Sequence, residues 1–152
     1  MIAALLFAIY PLLGGASSLH LTAREKGFLS SMNHVRAEHG LAPFRVDVRL
    51  VASARGHSTD MVRTKTFAHG NFGQRAERQG VTSGVIGETL GWAAPVNGAT
   101  NRIVQMWLRS PEHRVILLGR AYRTVGIGIS IGPFKGWPRT LVVTADYHAP
   151  AD

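Results

Sequence analysis

There is no cysteine among the 152 residues. Disulfides, thiolate metal sites and cysteine nucleophiles are therefore excluded, and the fold must be held by its core alone. Acid is also scarce, with nine Asp and Glu against seventeen Lys and Arg, for a net charge of +8. A surface of that sign favours anionic partners. No charge of either sign occurs from Ile2 to Leu19, and the first charged side chain is Arg24, so the basic excess belongs to the rest of the chain. Within that uncharged stretch the run from Ile2 to Tyr10 is apolar enough to enter a bilayer. Pro11, Gly14 and Gly15 break it, and Ala16-Ser17-Ser18 supplies small residues that a signal peptidase accepts. Residues 1–20 thus read as a signal peptide or, if uncut, as an N-terminal anchor giving membrane contact. Residues 21–152 read as one domain, secreted or at least extracytoplasmic. In that compartment lipid headgroups or acidic wall polymers are the anionic partners at hand, and nucleic acid is not expected.

No internal repeat or low-complexity block occurs after residue 20. Thr22-Ala23-Arg24-Glu25 has the form of a capping box, and Phe28, Leu29, Met32 and Val35 recur at helical spacing until Gly40. Asp47 is placed to cap a second helix, with Leu50, Val51, Ala54 and Met61 as its apolar stripe before Lys65. A short basic helix spans about Gln74 to Gln79. Asn97 or Thr100 opens another, buried along Ile103, Val104 and Trp107. Val85 to Leu90 is too short and glycine-bounded to assign. From Val125 to Ile131 apolar and small residues alternate with the period of a strand. Gly132-Pro133 and Gly136-Trp137-Pro138 mark a loop, and Leu141 to Tyr147 is a second β-rich run. Helices first and strands last give an α+β class with an antiparallel sheet covered by helices.

The segment Trp107-Leu108-Arg109-Ser110-Pro111-Glu112-His113-Arg114 holds a helix end and a helix restart. A Ser-Pro-Glu start predicts that the Ser110 hydroxyl caps free N–H groups. Proline takes the first turn and the acid meets the positive dipole end. His113 then lies in the first turn, where the dipole biases its ring toward the neutral form that binds metal or accepts a proton.

Several stretches in this order resemble the CAP family of cysteine-rich secretory, antigen 5 and pathogenesis-related 1 proteins (SCP domains), in a short bacterial form without the cysteines. They are Asn33-His34-Val35-Arg36 leading to Gly40-Leu41, Leu50 to Ala54 and on to Asp60-Met61, Phe67-Ala68-His69, and the basic stretch from Arg75 to Gly80. Gly87-Glu88, the Trp107 to Arg114 segment and Val125-Gly126-Ile127-Gly128 complete the set. The resemblance implies a three-layered α-β-α sandwich with a central antiparallel sheet. It also implies a cleft that gathers two histidines and two acids, and in several relatives a divalent metal held by the histidines. His69 and His113 match the histidines. Glu88 matches the acid of the family's Gly-Glu-Asn motif, with Thr89 in place of the asparagine. Ser110 stands where longer eukaryotic relatives carry the second acid.

Two imidazoles with water or Glu88 make a weak, exchangeable site for zinc or another divalent cation, since stable catalytic zinc uses three protein ligands and an open position. Two functions are open to such a site. The first is a non-enzymatic binding module whose cleft or groove takes a lipid, a sterol or an anionic cell-envelope ligand. The second is a metal-dependent hydrolase in which His69 and His113 hold the ion and Glu88 acts as general base. With no HExxH helix, no serine elbow and no third strong ligand beside the pair, binding is the favoured reading. His34, His39 and His57 read as helix-surface or packing residues, and Trp107 as core. Asn33 and Arg36 read as ties between the first helix and a neighbouring loop. Trp92 and Trp137 lie in glycine- and proline-flanked stretches, where an indole meets lipid or glycan or else caps a small cluster.

Overall fold

The computed structural model describes residues 20–151. The proposed signal or anchor, save its last residue His20, therefore lies outside the described residues. Five helices and four strands succeed one another in the order α1 (Ala23–Glu38), β1 (Arg45–Val46), α2 (Val48–Thr64), α3 (Phe72–Arg78), β2 (Val85–Ala93), α4 (Ala99–Arg109), α5 (Pro111–Leu117), β3 (Thr124–Phe134) and β4 (Trp137–Ala149). The four strands form one sheet in the order β1-β3-β4-β2. β4 pairs antiparallel with both β3 and β2, whereas the two-residue β1 pairs parallel with β3, so the expected antiparallel sheet carries one short parallel edge.

Local chemistry sets the helix ends. The Thr22 hydroxyl accepts from Glu25 N (3.3 Å) while Glu25 Oε2 accepts from Thr22 N (2.7 Å), the reciprocal capping box read in the sequence. The Asp47 carboxylate accepts from Arg49 N and caps α2. The fourth helix departs from expectation, because Gly98 occupies its N-cap with φ 69° and neither Asn97 nor Thr100 opens it. Between the last two strands the expected loop contracts to Lys135 and Gly136. Both have positive φ, so they make the tight two-residue turn that suits a hairpin, and β3 and β4 run on through Pro133 and Pro138. Val85 to Ala93, unassigned from sequence, is a strand. The glycines that seemed to bound it give room instead, since a Cβ at Gly91 would lie 2.4 Å from Ile103 Cγ2.

Strand alternation divides the side chains between two helical layers. Val125, Ile127, Leu141, Val143, Ala145 and Tyr147 face α1, α4 and α5, where Phe28, Met32, Ile103 and the fully buried Trp107 complete the main core. Trp107 Nε1 donates to Leu90 O (2.8 Å), so its one polar group is satisfied. Arg36 is buried in the same layer and donates to Ala42 O, Leu117 O and Gly119 O, and Asn33 exchanges two hydrogen bonds with the Phe44 backbone, so both residues tie α1 to loops as expected.

On the opposite face, α2 lies along β3. A Cβ at Gly126 would fall 2.0 Å from Leu50 C, and one at Gly128 would fall 2.1 Å from Arg55 N. The alternation of glycine with Val125 and Ile127 is therefore a contact rule: glycine where helix backbone touches strand backbone, branched side chains where the strand meets the main core. Gly128 to Gly132 also has the G-x-S-x-G spacing of a serine elbow. Ser130 lies inside β3, paired with Val142, and the chain continues into a hairpin rather than a helix, so the elbow is absent.

Candidate functional site

Glu88 lies on β2 directly opposite Asp146 on β4, and both side chains point to the α2 face. Both are buried, at 3% and 0% exposure. The loop after α2 carries His69 to the rim of this pair. His69 Nδ1 donates to Glu88 Oε1 at 2.7 Å, a role fixed by the carboxylate acceptor, and the ring leaves Nε2 unused by this contact. Arg75, on α3, holds the same carboxylate from the other side, donating to Glu88 Oε2, and its Nη1 donates to His69 O at 2.8 Å. His57 on α2 supports the loop from below, its Nε2 donating to Ala68 O (2.9 Å). That role agrees with its reading as a packing residue.

The structure brings His69 and Glu88 into direct contact. His113 approaches from α5 near enough that the charge of His69 opposes its own, and Glu112 acts on both rings. Ser110 does not play the part expected of it. It occupies the N-cap of α5, but its hydroxyl makes no capping bond and meets His113 Nδ1 at 2.8 Å. Orienting the imidazole takes precedence over capping, while the Ser110 carbonyl accepts the ordinary first intrahelical bond from Arg114 N.

Electrostatics are governed by burial. Burial lowers the His69 pKa, Arg75 lowers it further, and Asp146 and Glu112 oppose the shift. Burial also lowers His113, aided by His69, so the neutral ring expected from the helix dipole arises mainly from desolvation. Glu88 is raised by burial against the pull of Arg75, and Asp146 is pushed up to about 8 by burial and by the Glu88 charge. Two acids side by side cannot both ionise without cost. The Arg75 and His69 contacts favour charge on Glu88, leaving the proton on Asp146. Asp146 lies within hydrogen-bonding reach of Glu88 and Ser53, although neither of its oxygens nor the Ser53 hydroxyl makes a bond of good geometry among the described residues.

Sequence reasoning missed Asp146 and Arg75 as site residues. An acid inside a β-rich run was the available signal for Asp146, and an arginine in the resembling basic stretch was that for Arg75.

The model of the cysteine-rich secretory protein family, CAP, matches residues 29–147. The chain belongs to the CAP family. Among curated proteins, this CAP domain is 34% identical over 113 residues to the uncharacterized membrane protein YlbC of Bacillus subtilis, covering 71% of this chain and 32% of YlbC. It is 27% identical to YkwD of the same organism, covering 71% of this chain and 43% of that protein. The chain thus spans less than half the length of either relative. Among solved structures, an extracellular protein of Bacillus anthracis containing an SCP domain superposes with a TM-score of 0.64 at 25% identity, over 85% of this chain and 44% of that one. An outer surface protein of Borrelia burgdorferi has the same fold, with a TM-score of 0.66 at 21% identity, over 87% of this chain and 97% of that one. The α-β-α sandwich of the family is therefore the fold of this chain. The extracellular Bacillus anthracis neighbour fits an extracytoplasmic protein. Among the described residues, no helix is long and apolar enough to cross a membrane.

Proposed function

We propose that this CAP domain is a secreted or surface-held binding module whose His69–Glu88–His113 cleft, with Ser110 behind His113, holds a divalent cation such as zinc weakly and exchangeably. The observation that carries this reading is the engagement of Glu88: one oxygen takes His69 Nδ1 and the other takes Arg75. A carboxylate held in this way fixes a ring's tautomer and direction, which is the task of an outer partner to a metal-binding histidine. The donor set fits a cation only modestly. His69 and His113 each have Nδ1 engaged and Nε2 left over from that contact. Among the described residues no three His, Cys, Asp or Glu are grouped so as to hold a metal. When bound, the ion would give the cleft a charge for anionic ligand groups.

A lipid, sterol or anionic envelope ligand is the proposed partner. A groove of about 450 Å³ between the start of α1 and β3 suits the apolar part of such a molecule, having Ala23, Ile129 and Ile131 as walls and Arg24 at its rim, with Arg55 there already paired to Glu25. Metal-dependent hydrolysis with Glu88 as general base is the second reading, favoured by the raised Glu88 pKa. The Glu88 side chain has no exposed surface and lies behind His69 and Arg75, a poor position from which to reach a metal-bound water, so binding remains the better reading.

Zinc titration by calorimetry tests it. Modest affinity in the wild type, lost in His69→Ala and in His113→Ala, is expected, with no metal-dependent peptidase turnover. Equal uptake by the wild type and the double variant would dismiss the pair, and robust turnover abolished by His69→Ala would establish the hydrolase.

A further inference from the structure

The tip of the β3–β4 hairpin carries a second set of features, made of residues the His69 cleft does not use and independent of that reading. Trp137 is 52% exposed, the only aromatic among the exposed large hydrophobic side chains of the described residues. It stands between the turn and the exposed Pro138, beside a groove of about 530 Å³ that Lys65, Pro133 and Lys135 also line. The tip is held firmly. Phe134 and Trp137 pair across the turn, buried Phe134 packs edge-on against Phe67 and Trp92, and Lys65 Nζ donates to Pro133 O at 2.6 Å. Charge here has one sign. No acid occurs between Glu112 and Asp146, and none lines the groove, whereas Lys65, Lys135 and Arg139 are all exposed.

We propose that this tip docks on an anionic phospholipid bilayer, with Trp137 at the headgroup boundary and Lys65 and Lys135 on lipid phosphates. An indole has an apolar body and one N–H donor, which suits it to the boundary between headgroups and acyl chains. A single indole between prolines is too little apolar surface to insert deeply, so anionic charge must supply much of the attraction. Lysine stems lie along the apolar surface while their ammonium groups reach outward. The polar side-chain atoms lining the groove are all donors, which matches phosphate oxygens and gives a polyhydroxyl glycan no side-chain acceptor.

The test uses the full chain with vesicles of brominated phosphatidylcholine, alone or mixed with phosphatidylglycerol, and reads tryptophan quenching. The apolar run from Ile2 to Tyr10 can hold the chain on either vesicle, so the quenched component that disappears in Trp137→Phe is the readout, not total binding. That component is expected on the mixed vesicles and not on phosphatidylcholine alone. It should decline with added salt, and partitioning through the tip should drop about fivefold in Lys135→Gln. Equal quenching in the wild type and Trp137→Phe, or equal Trp137 quenching on both vesicle types, overturns the proposal. Protection of Trp137 from acrylamide by soluble wall glycan, without quenching on vesicles, assigns the tip to a glycan and likewise overturns it.

Discussion

The two faces of the sheet follow different rules. Toward α1, α4 and α5 a single apolar cluster runs without interruption from Phe28 to Tyr147. Toward α2 and α3 the apolar residues split into two small groups, one around Met61, Leu90, Phe134 and Val142, the other around Leu50, Ala76 and Val81. Between them lie Ser53, Ser58, Thr144, Glu88 and Asp146, all buried and polar. Ser58 Oγ lies 2.8 Å from Gly128 O and 2.9 Å from the Thr144 hydroxyl, but Ser53 and Asp146 make only contacts of poor geometry among the described residues. One face supplies stability. The other gives some of it up, since a buried polar group left wholly unsatisfied costs about 1–3 kcal/mol and a poorly satisfied one costs part of that, and in exchange holds His69 in place.

The largest expected effect breaks the contact on which the polar face depends. Gly128→Val places a branched side chain where α2 backbone already stands, and it should abolish the cooperative thermal transition followed by circular dichroism. Trp107→Ala strikes the apolar face instead. It should cost about 3–5 kcal/mol in urea unfolding while leaving the His69–Glu88 contact intact, as read from imidazole NMR shifts.

Asp146→Asn sharpens the comparison through pH. The native state keeps the Asp146 proton to about pH 8. The unfolded chain releases it near the ordinary aspartate value of about 3.9. The folded form therefore binds more protons between those limits, and wild-type stability falls as pH rises, by at most about 1.4 kcal/mol per unit from this group. Asparagine removes that dependence. Urea midpoints from pH 4 to 9 should fall less steeply in the variant, with its advantage confined to the alkaline end. A slope equal to the wild type's would place the shared proton elsewhere.

Ser110→Ala should have the smallest effect on stability, below about 0.5 kcal/mol, because the hydroxyl caps nothing. Its consequence should appear as a changed His113 tautomer ratio in nitrogen NMR. A loss near 1 kcal/mol would restore the capping role.

The helical layers were largely legible in the sequence because caps and 3.6-residue periodicity are local signals. Thr22, Glu25, Asp47, Phe28, Met32 and Trp107 each act within a turn or two of where the pattern put them. The strand Val85–Ala93 was not legible. It is buried on both faces, so alternation vanishes and its glycines look like breaks. His69, Glu88 and His113 emerged through family resemblance; the structure sets His69 directly against Glu88 and His113 against Ser110. Asp146 stayed hidden because nothing near it in the chain shows that β4 will lie against β2, 58 residues away at Glu88. Ser110 misled because the residue pattern of a cap is the same whether its hydroxyl turns to the backbone or to a neighbouring ring.

β4 is the last strand in the chain, yet it is a central strand of the sheet, between β3 and β2. The sheet consequently has high contact order: β2 must wait, edge unpaired, until the residues from Trp137 to Ala149 arrive. Assembly of the acid pair is thus tied to the final step of closure. A chain clipped before Asp146 loses the partner of Glu88 and the strand that buries it together, so an intact His69–Glu88 contact reports that the whole domain has been made and folded.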